Sequence, residues 1–290
     1  GFESMREIRE KAFAKINLGL DVIRRREDGY HEVRMIMQNL QLCDQIRLYR
    51  TEKKGIKGKC NLPWLPVNEK NLVYKAAKLM ADEFKIEQGI FIRLDKKIPS
   101  AAGLAGGSSD AAAVMRGMNR MFDLGLSDAE LAGYAVRIGA DVPYCIKGGT
   151  ALAEGIGEKL TFLPAAPKCF ILLAKPDVDV STKFVYTNLK ANELRHHPDI
   201  DSQMQALKEG DLHALASKME NVLESVTAVK YPVVEKIKQD MIRYGALNAM
   251  MSGSGPTVFG LFDDEEKFQY AYSKMKEKKW CRDLFMTKIK

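Results

Sequence analysis

The segment IPSAAGLAGGSSDAAA, residues 98–113, has the residue types and the spacing best suited to chemistry. Its three glycines, Gly103, Gly106 and Gly107, let the backbone approach a ligand closely and adopt positive φ angles. The serines and Asp110 that follow are helix-capping types, and the alanines after them favour a helix. The N–H groups at a helix start, reinforced by the helix dipole, bind anions. The segment therefore predicts a phosphate-binding loop that leads into a helix.

Two well-known nucleotide-binding loops do not fit this segment. A Walker A loop requires Gly-Lys followed by Ser or Thr, and no such sequence follows the glycines. The glycine spacing and its setting also do not match the GxGxxG fingerprint of a dinucleotide-binding βαβ unit. A second glycine-rich turn, MSGSGPTVFG at residues 251–260, lies between two predicted strands. Taken alone, it fits a structural hairpin as well as the other side of a phosphate pocket.

Composition limits the classes of protein to which this chain can belong. With 290 residues, 46% of them apolar and 29% charged, it can bury the core of one large or two smaller domains. No apolar run is long enough for a membrane helix, and the start of the chain has no secretory signal pattern. The four residues before Met5 resemble the remnant of an expression tag. We expect a soluble cytoplasmic protein.

Cysteines and charge favour neither a disulfide framework nor nucleic-acid binding. The five cysteines are odd in number and form no CxxC pair, which is typical of a protein from a reducing compartment. The formal net charge is +7, from 45 basic and 38 acidic residues. Because the basic residues are mostly dispersed, we expect small anionic ligands rather than a nucleic acid.

The elements that must position the phosphate loop are strands and helices without strict alternation. The first fifty residues predict strands interrupted by a tight turn at Asp28 and Gly29, and residues 53–66 predict a loop. Asn71 is a predicted helix cap, a strand is predicted over residues 89–96, and a helix over residues 110–122. This mixture indicates an α+β fold rather than a doubly wound sheet.

The second half of the chain contains further helix starts. Ser127 and Glu130 form a predicted capping box, and Ser181 or Thr182 caps a helix. Residues 202–244 are mostly helical in pattern, with Pro232 near the start of the last helix of that stretch. Two strands then flank the second glycine-rich turn, and a helix and a strand end the chain.

Five segments together resemble the GHMP kinases, whose central motif is P-x-x-x-G-L-x-x-S-S-x-A; this chain has three residues rather than two between Gly103-Leu104 and Ser108-Ser109. They occur in the expected order over nearly the whole chain: AKIN at residues 14–17, DGYHE at 28–32, GLAGGSSDAA at 103–112, GADVPYC at 139–145 and MSGSGPTVF at 251–259. The resemblance implies a two-lobed α+β kinase fold. Residues 5–155 would form an N-terminal domain similar to a ribosomal-protein fold, and residues 156–290 a C-terminal α/β domain.

The resemblance implies an ATP-dependent kinase that phosphorylates the 2-hydroxyl of a cytidine-diphosphate derivative of methylerythritol, in the non-mevalonate isoprenoid pathway. Asp141 would be the general base and Lys15 its partner, with direct in-line transfer. Such transfer needs a carboxylate to take the hydroxyl proton and a positive charge to steady the developing anion. Without the resemblance, Asp141 is equally consistent with a turn carboxylate and Lys15 with a surface strand residue.

For ATP, the resemblance places the phosphates on the glycine-rich loop and the adenine near the start of the first helix. The residues so assigned are Asn71, Leu72, Lys97, Pro99, Ser100, Ala101, Ala102, Gly103, Leu104, Ala105, Gly106, Gly107, Ser108 and Ser109. Mg²⁺ should accompany the triphosphate, and no residue is predicted to be a metal ligand. Asp110 stands where related sequences can carry a neutral Asn, so we expect its charge to face the phosphate site.

For the cytidine end of the substrate, the resemblance assigns a stacking role to Tyr30 and a hydrogen-bonding role to His31. Asn17 would lie near the substrate, and Thr182 and Tyr186 would belong to the opposite wall. Phe184 is the alternative to Tyr186 as the second aromatic face. Packing in the helix core is the other interpretation of both aromatic residues.

Two other functions remain open from the sequence. A GHMP kinase for homoserine or a mevalonate phosphate would not need the cytosine pocket that Tyr30 and His31 predict. A nucleic-acid-binding protein could share part of the topology, but the dispersed basic residues argue against it. We expect a monomer or homodimer that binds ATP and a small-molecule substrate, without a nucleic-acid or membrane partner.

Overall fold

The computed structural model describes residues 7–290, so the residues before this range, including the four that precede Met5, lie outside it. The strands are β1 Glu7–Arg25, β2 His31–Thr51, β3 Ile56–Cys60, β4 Gly89–Asp95, β5 Thr150–Gly155, β6 Lys159–Phe162, β7 Phe170–Lys175, β8 Asn248–Met251, β9 Val258–Phe262 and β10 Asp283–Lys288. The helices are α1 Leu72–Glu83, α2 Gly106–Met121, α3 Asp128–Ala135, α4 Val142–Lys147, α5 Thr182–Asn188, α6 Ile200–Glu209, α7 Leu212–Ser217, α8 Glu224–Lys230, α9 Val233–Arg243 and α10 Glu265–Lys276. This mixture confirms the predicted α+β class.

The chain forms two compact units that interleave along the sequence. The first unit contains residues 7–14, 42–100 and 105–148, and the second contains residues 15–41, 101–104 and 149–290. The chain therefore passes from one unit to the other within β1, within β2 and within the glycine-rich loop. The division predicted after residue 155 is contiguous in sequence, unlike these units, and stays a prediction.

The first unit combines part of a sheet with helices α1 to α4. Strand β4 pairs antiparallel with residues 45–51 of β2 and parallel with β3. Helix α2 packs against α1, α3 and α4. Its sequence runs Ala111, Ala112, Ala113, Val114 without a polar break, and all four side chains are buried. Small apolar side chains let this helix pack closely against its three neighbouring helices.

One predicted loop in this unit is wrong in part. Residues 53–66 contain strand β3, which pairs from Ile56 opposite Ile90 to Cys60 opposite Leu94. The five residues of β3 alternate between half-buried and exposed, and three of them are Gly or Lys. The composition of β3 does not predict a strand. The strand is stabilised by backbone hydrogen bonds to the apolar strand β4 rather than by its own side chains.

The second unit contains two sets of strands. Residues 33–38 of β2 pair antiparallel with β5, which forms a hairpin with β6. A separate four-stranded antiparallel sheet has the order β10-β7-β9-β8, and α9 and α10 pack against it. Strand β7, whose residues are almost all apolar, is buried along most of its length.

Local capping chemistry fixes several helix starts as predicted. The Asn71 side chain accepts a hydrogen bond from Val73 N, and Ser127 forms a reciprocal capping box with Glu130. Ser181 caps α5 through Phe184 N. These side chains satisfy N–H groups that the first turn of a helix leaves unpaired, so they determine where the helix begins.

The predicted start of the helix behind the glycines is wrong. Helix α2 begins at Gly106 rather than at Asp110, and its N-cap residue is Ala105, which has a left-handed backbone and makes no side-chain cap bond. Ser109 and Asp110 are buried inside the helix instead of capping it. Gly106 and Gly107 are therefore part of the first turn itself. Within residues 7–290, no helix is both long and apolar enough to span a membrane.

Candidate active site

The glycine-rich loop has an unusual backbone. Ala101, Gly103 and Ala105 all have positive φ values, of 50°, 84° and 54° respectively. Left-handed backbone is unfavourable for alanine, so the fold must hold these two residues in place. Alternation of this kind re-aims successive peptide groups over a short stretch, which is the geometry of an anion-binding loop.

The glycines of the loop serve different purposes. A Cβ on Gly103 would lie 2.2 Å from Ser252 O, so no side chain fits there. A Cβ on Gly106 would lie 3.1 Å from Ile98 Cγ2, a tight contact. At Gly107 the nearest atom would be Leu72 Cδ1 at an ordinary 3.5 Å, and the residue is exposed. Packing therefore explains Gly103, whereas no tight contact among the described residues requires a glycine at Gly107.

The first turn of α2 presents its N–H groups. Hydrogen bonding along the helix begins with Ser109 N–H donating to Ala105 O at 2.9 Å. The N–H groups of Gly106, Gly107 and Ser108 precede that bond, as in the first turn of any helix. With the positive end of the helix dipole, they can hold phosphate oxygens.

Lys15 lies against the glycine-rich loop. Its Nζ donates to Asn17 Oδ1 at 2.8 Å and to Gly103 O at 2.9 Å, and its backbone N donates to Leu104 O at 3.1 Å. The residue is only 4% exposed. The ammonium is therefore fixed beside the part of the loop that residues 101–104 form.

The second glycine-rich turn joins the same network. Gly253 N donates to Asn17 Oδ1 at 3.0 Å, and Ser252 Oγ donates to Gly103 O at 2.9 Å. The turn is thus a hairpin between β8 and β9 that also contacts the first loop. The sequence left open whether the two glycine-rich segments contact each other. In the structure, Ser252 of the second segment is hydrogen-bonded to Gly103 of the first.

Asn221 is a buried residue that sequence reasoning missed. Its Nδ2 donates to Met251 O at 2.9 Å and to Gly253 O at 2.8 Å, and its Oδ1 accepts from Leu223 N. These hydrogen bonds hold the backbone of the second glycine-rich turn in place. Because it lies in an irregular stretch between α7 and α8, far from any motif, no signal in the sequence could have identified it.

Two of the residues assigned to the cytidine end of the substrate, His31 and Tyr186, contact each other. The rings of His31 and Tyr186 are 5.1 Å apart between centroids and tilted by 52°. Thr182 Oγ1 lies 2.9 Å from Ser254 Oγ, which ties the start of α5 to the second turn. Phe184 instead packs under Lys230, whose Nζ is 3.9 Å from the ring centroid. Tyr186 is therefore the aromatic residue of α5 that contacts His31.

The exposure of Tyr30 and the protonation of His31 suit recognition of a base. Tyr30 is 60% exposed, so its ring has an open face. Burial, with the charge of Arg25 adding to it, lowers the pKa of His31. The imidazole is therefore neutral at neutral pH, with one nitrogen as donor and the other as acceptor, and this pair can read the edge of a base.

Asp141 occupies the N-cap position of α4 with an αR backbone, and its side chain makes no capping bond. It is half-buried. Arg116 holds the other end of this short helix by donating to Cys145 O at 2.8 Å and Ile146 O at 3.1 Å. The Asp141 carboxylate therefore lies at the start of a helix that Arg116 holds in place, and it makes no capping hydrogen bond.

Residues assigned to the adenine lie in the first unit. Asn71 is the N-cap of α1, and Leu72 follows it near Gly107. Lys97 is exposed, and its backbone N donates to Asp44 Oδ1 at 2.7 Å. Leu72 is thus near the first turn of α2, whereas within residues 7–290 no hydrogen bond or ion pair joins the Lys97 side chain to this turn.

The expectation that the charge of Asp110 faces the phosphate site is wrong, because the side chain is buried against Lys96. It is 2% exposed, and its Oδ2 accepts from Lys96 Nζ at 2.8 Å. Lys96 Nζ also donates to Asp44 Oδ2 at 2.7 Å. No pattern in the sequence joins these three residues, because Asp44 lies in β2 and Lys96 follows β4. Across residues 7–290, no group of three or more His, Cys, Asp or Glu residues could hold a metal ion.

Comparison with known sequences establishes the class of protein. The GHMP kinases N terminal domain matches residues 71–149, and the GHMP kinases C terminal domain matches residues 203–279. The chain belongs to the GHMP kinase family. It is thus an enzyme, a kinase, as the motifs predicted.

Individual relatives make the similarity more specific. The chain is 56% identical over 283 residues to a protein of Lachnospira eligens named 4-diphosphocytidyl-2-C-methyl-D-erythritol kinase, and the match covers 98% of each chain. A protein of the same name from Lachnoclostridium phytofermentans is 52% identical, with 96% of each chain covered. A crystal structure of 4-(cytidine 5'-diphospho)-2C-methyl-D-erythritol kinase matches with a TM-score of 0.83 and 30% identity, covering 97% of this chain and 99% of that one. These matches confirm the predicted fold.

Proposed function

We propose that this kinase transfers the γ-phosphoryl group of ATP to the 2-hydroxyl of 4-diphosphocytidyl-2-C-methyl-D-erythritol, a step of the non-mevalonate route to isoprenoid precursors. One observation carries the proposal: the buried ammonium of Lys15 is bonded both to Asn17 and to Gly103, and Asn17 is bonded in turn to Gly253. Three motifs that are far apart in the sequence thus meet around one cation. The names of the relatives indicate the acceptor.

The chemistry requires a base, a cation and an anchored triphosphate. We assign the base to Asp141, whose carboxylate would accept the proton of the attacking hydroxyl as the new O–P bond forms. The bond between the γ-phosphorus and its bridging oxygen breaks, and ADP leaves. Lys15 would stabilise the negative charge that develops during this transfer. No covalent enzyme intermediate is needed.

The phosphates of ATP would bind to the glycine-rich loop, residues 99–109, and the adenine near Asn71, Leu72 and Lys97. Support comes from the N–H groups at the start of α2 and from the exposed Gly107, which packing alone does not require. Mg²⁺ would accompany ATP as part of the nucleotide substrate.

The cytosine would be recognised by Tyr30 and His31, with Asn17, Thr182 and Tyr186 also facing the substrate. A neutral imidazole can both donate to and accept from the base edge, and the exposed Tyr30 ring offers a stacking face. Kinases for homoserine or mevalonate phosphates have no base to bind. We place the reaction in the cytoplasm and expect a monomer or homodimer.

The test is ADP release by the purified protein with ATP and Mg²⁺ against a panel of acceptors. The panel contains 4-diphosphocytidyl-2-C-methyl-D-erythritol, its uridine analogue, homoserine, mevalonate and phosphomevalonate. Turnover with the cytidine compound alone is the expected result, and Lys15→Met should abolish it while the exposed control Lys11→Met should not. Turnover with another acceptor would keep the kinase and refute the substrate.

A further inference from the structure

Asp44, Lys96 and Asp110 form a buried cluster of charged residues, called here the Lys96 cluster. The Lys96 ammonium lies 2.7 Å from Asp44 Oδ2 and 2.8 Å from Asp110 Oδ2. The three side chains are at most 3% exposed. The cluster contributes nothing to the chemistry assigned above, so its presence in the core needs its own explanation.

The cluster lies directly under the start of α2. A Cβ on Gly106, the first residue of that helix, would be 3.4 Å from Lys96 Nζ. Asp110 follows one turn later in the same helix. Any net charge in the cluster therefore acts on the N–H groups to which we assign the phosphates.

Full ionisation would leave the Lys96 cluster with one excess negative charge. Two carboxylates and one ammonium sum to −1, and an uncompensated buried charge is strongly unfavourable. The N-terminal part of α2 could offset some of that charge, but it would then lose attraction for an anionic ligand. One proton bound to the cluster removes both problems.

The hydrogen bonds indicate where that proton is held. Asp44 Oδ1 accepts from Lys97 N at 2.7 Å and from Ile98 N at 2.8 Å, and its Oδ2 accepts from Lys96. Both oxygens of Asp44 are thus already hydrogen-bond acceptors. Among the described residues, Asp110 Oδ1 is buried and has no donor facing it.

We propose that Asp110 is a protonated, neutral carboxylic acid in the folded protein, and that it acts as a positioning residue for the phosphate-binding turn of α2. It holds Lys96 under Gly106 without placing a net negative charge next to the bound phosphates. The consequence for ATP rests on the proposed function, whereas the protonation itself does not.

The surroundings of Asp110 support this assignment. Burial, together with the nearby Asp44 carboxylate, raises the pKa of Asp110 well above its ordinary value, and the opposing charge of Lys96 does not reverse this. Although burial lowers the pKa of Lys96, the charges of Asp110 and Asp44 outweigh it and raise the pKa. The Cys60 thiol of β3 lies near all three residues, and the Cys43 thiol of β2 lies near Asp44. In the described chain, helices α1, α3 and α4 also pack on α2 but add no charge that shifts the pKa of Asp110.

The first test is infrared spectroscopy of the carboxyl groups at pH 7. We expect the C=O band of a protonated acid in the wild type and its loss in Asp110→Asn. Asp44→Asn should also lose the band, because Lys96 then needs Asp110 as its counter-ion. Asp82→Asn, on the exposed face of α1, is the matched control and should keep it. Absence of the band from the wild type would overturn the proposal.

The second test uses the coupling between proton binding and folding. Unfolded Asp110 is ionised at pH 5–7, whereas the folded residue keeps its proton, so the stability attributable to it falls as pH rises. The unfolding constant of the wild type, divided by that of Asp110→Asn, should rise about tenfold per pH unit from pH 5 to pH 7. A ratio that does not change with pH would contradict the proposal.

Nucleotide binding separates this inference from the proposed function. Asn reproduces the shape and neutrality of the protonated acid, so Asp110→Asn should bind ATP within about twofold of the wild type at pH 7. Binding about tenfold tighter would mean that the wild type carries a negative charge there, and would refute the inference. Failure of both proteins to bind ATP would refute the proposed function, and the spectroscopic and unfolding tests would still decide the protonation.

Discussion

The side-chain oxygen of Asn17 lies 2.8 Å from the Lys15 ammonium and 3.0 Å from the backbone nitrogen of Gly253. One carbonyl group thus joins a buried cation to the second glycine-rich turn. The amide nitrogen of Asn17 points the other way, towards the Met35 and Met37 sulfurs at 3.4 and 3.1 Å. Asn17 is therefore fixed in orientation, and through it so are Lys15 and Gly253.

Substitution Asn17→Ala should release both partners of this carbonyl. We expect kcat/KM to fall by about 100-fold, because small misplacements of a catalytic group have effects of this size. The free energy of unfolding should fall by about 1–3 kcal/mol, since Lys15 loses a buried acceptor. Steady-state kinetics and urea unfolding measure the two effects. Asn188→Ala removes a hydrogen bond on the exposed helix α5 and should leave kcat/KM unchanged.

Substitution Asp141→Asn tests the assigned base. We expect turnover to fall by about 10²–10⁴-fold, the usual contribution of general-base catalysis, with ATP affinity nearly unchanged. The melting temperature should also stay close to that of the wild type, because Asp141 does not cap α4 with its side chain. Asp128→Asn, in the exposed first turn of α3, is the control. Loss of ATP binding together with turnover would indicate a structural role for Asp141.

The glycines of the phosphate loop should separate stability from ligand binding. Gly103→Ala places a Cβ 2.2 Å from Ser252 O at a φ of +84°, so we expect destabilisation by at least about 2 kcal/mol. Gly107→Ala meets nothing closer than 3.5 Å and lies in a helix, so stability should rise by up to about 0.5–1 kcal/mol.

Gly107→Ala should nevertheless weaken ATP binding by about tenfold if the phosphates approach the backbone closely there. Calorimetric titration with ATP and thermal unfolding of the same samples measure both properties. A stabilised variant with unchanged ATP affinity would show that the phosphates do not approach Gly107.

The substitution His31→Phe tests base recognition. The ring can still pack against Tyr186, but the nitrogen donor and acceptor are lost. We expect KM for the cytidine substrate to rise by roughly tenfold, about 1.4 kcal/mol, with kcat little changed. A matched fall in kcat with unchanged KM would instead place His31 in the chemical step.

The titration of His31 gives a prediction about pH. Burial lowers the pKa of His31 in the folded protein below its ordinary 6.5, so the unfolded chain binds a proton that the folded chain does not. Stability from this residue is present above about pH 6.5 and is lost as pH falls through the folded pKa. An NMR titration should place the midpoint of the His31 imidazole below 6.5, and His31→Phe should make stability less dependent on pH. A midpoint above 6.5 would contradict this.

Local chemistry made much of the fold predictable. Asn71, Ser127 and Ser181 begin their helices as expected, because a capping side chain needs only the next three residues to act. The predictions fail where a segment depends on a partner. Strand β3 forms because β4 lies beside it, and α2 begins at Gly106 because burial of Asp110 against Lys96 outweighs its preference for a cap.

The class of protein can be predicted without a structure, because the glycine-rich loop, the AKIN segment and the MSGSG turn carry local constraints on backbone and charge. Which residues support these segments becomes clear only from how the chain packs. Asn221 reaches Met251 over 30 positions, and Lys96 reaches Asp44 over 52. Such contacts leave no periodic or local pattern, because the hydrogen bond depends on where two elements pack and not on the residues next to either partner. A buried polar side chain must find its partner across the fold, and that choice is made by packing.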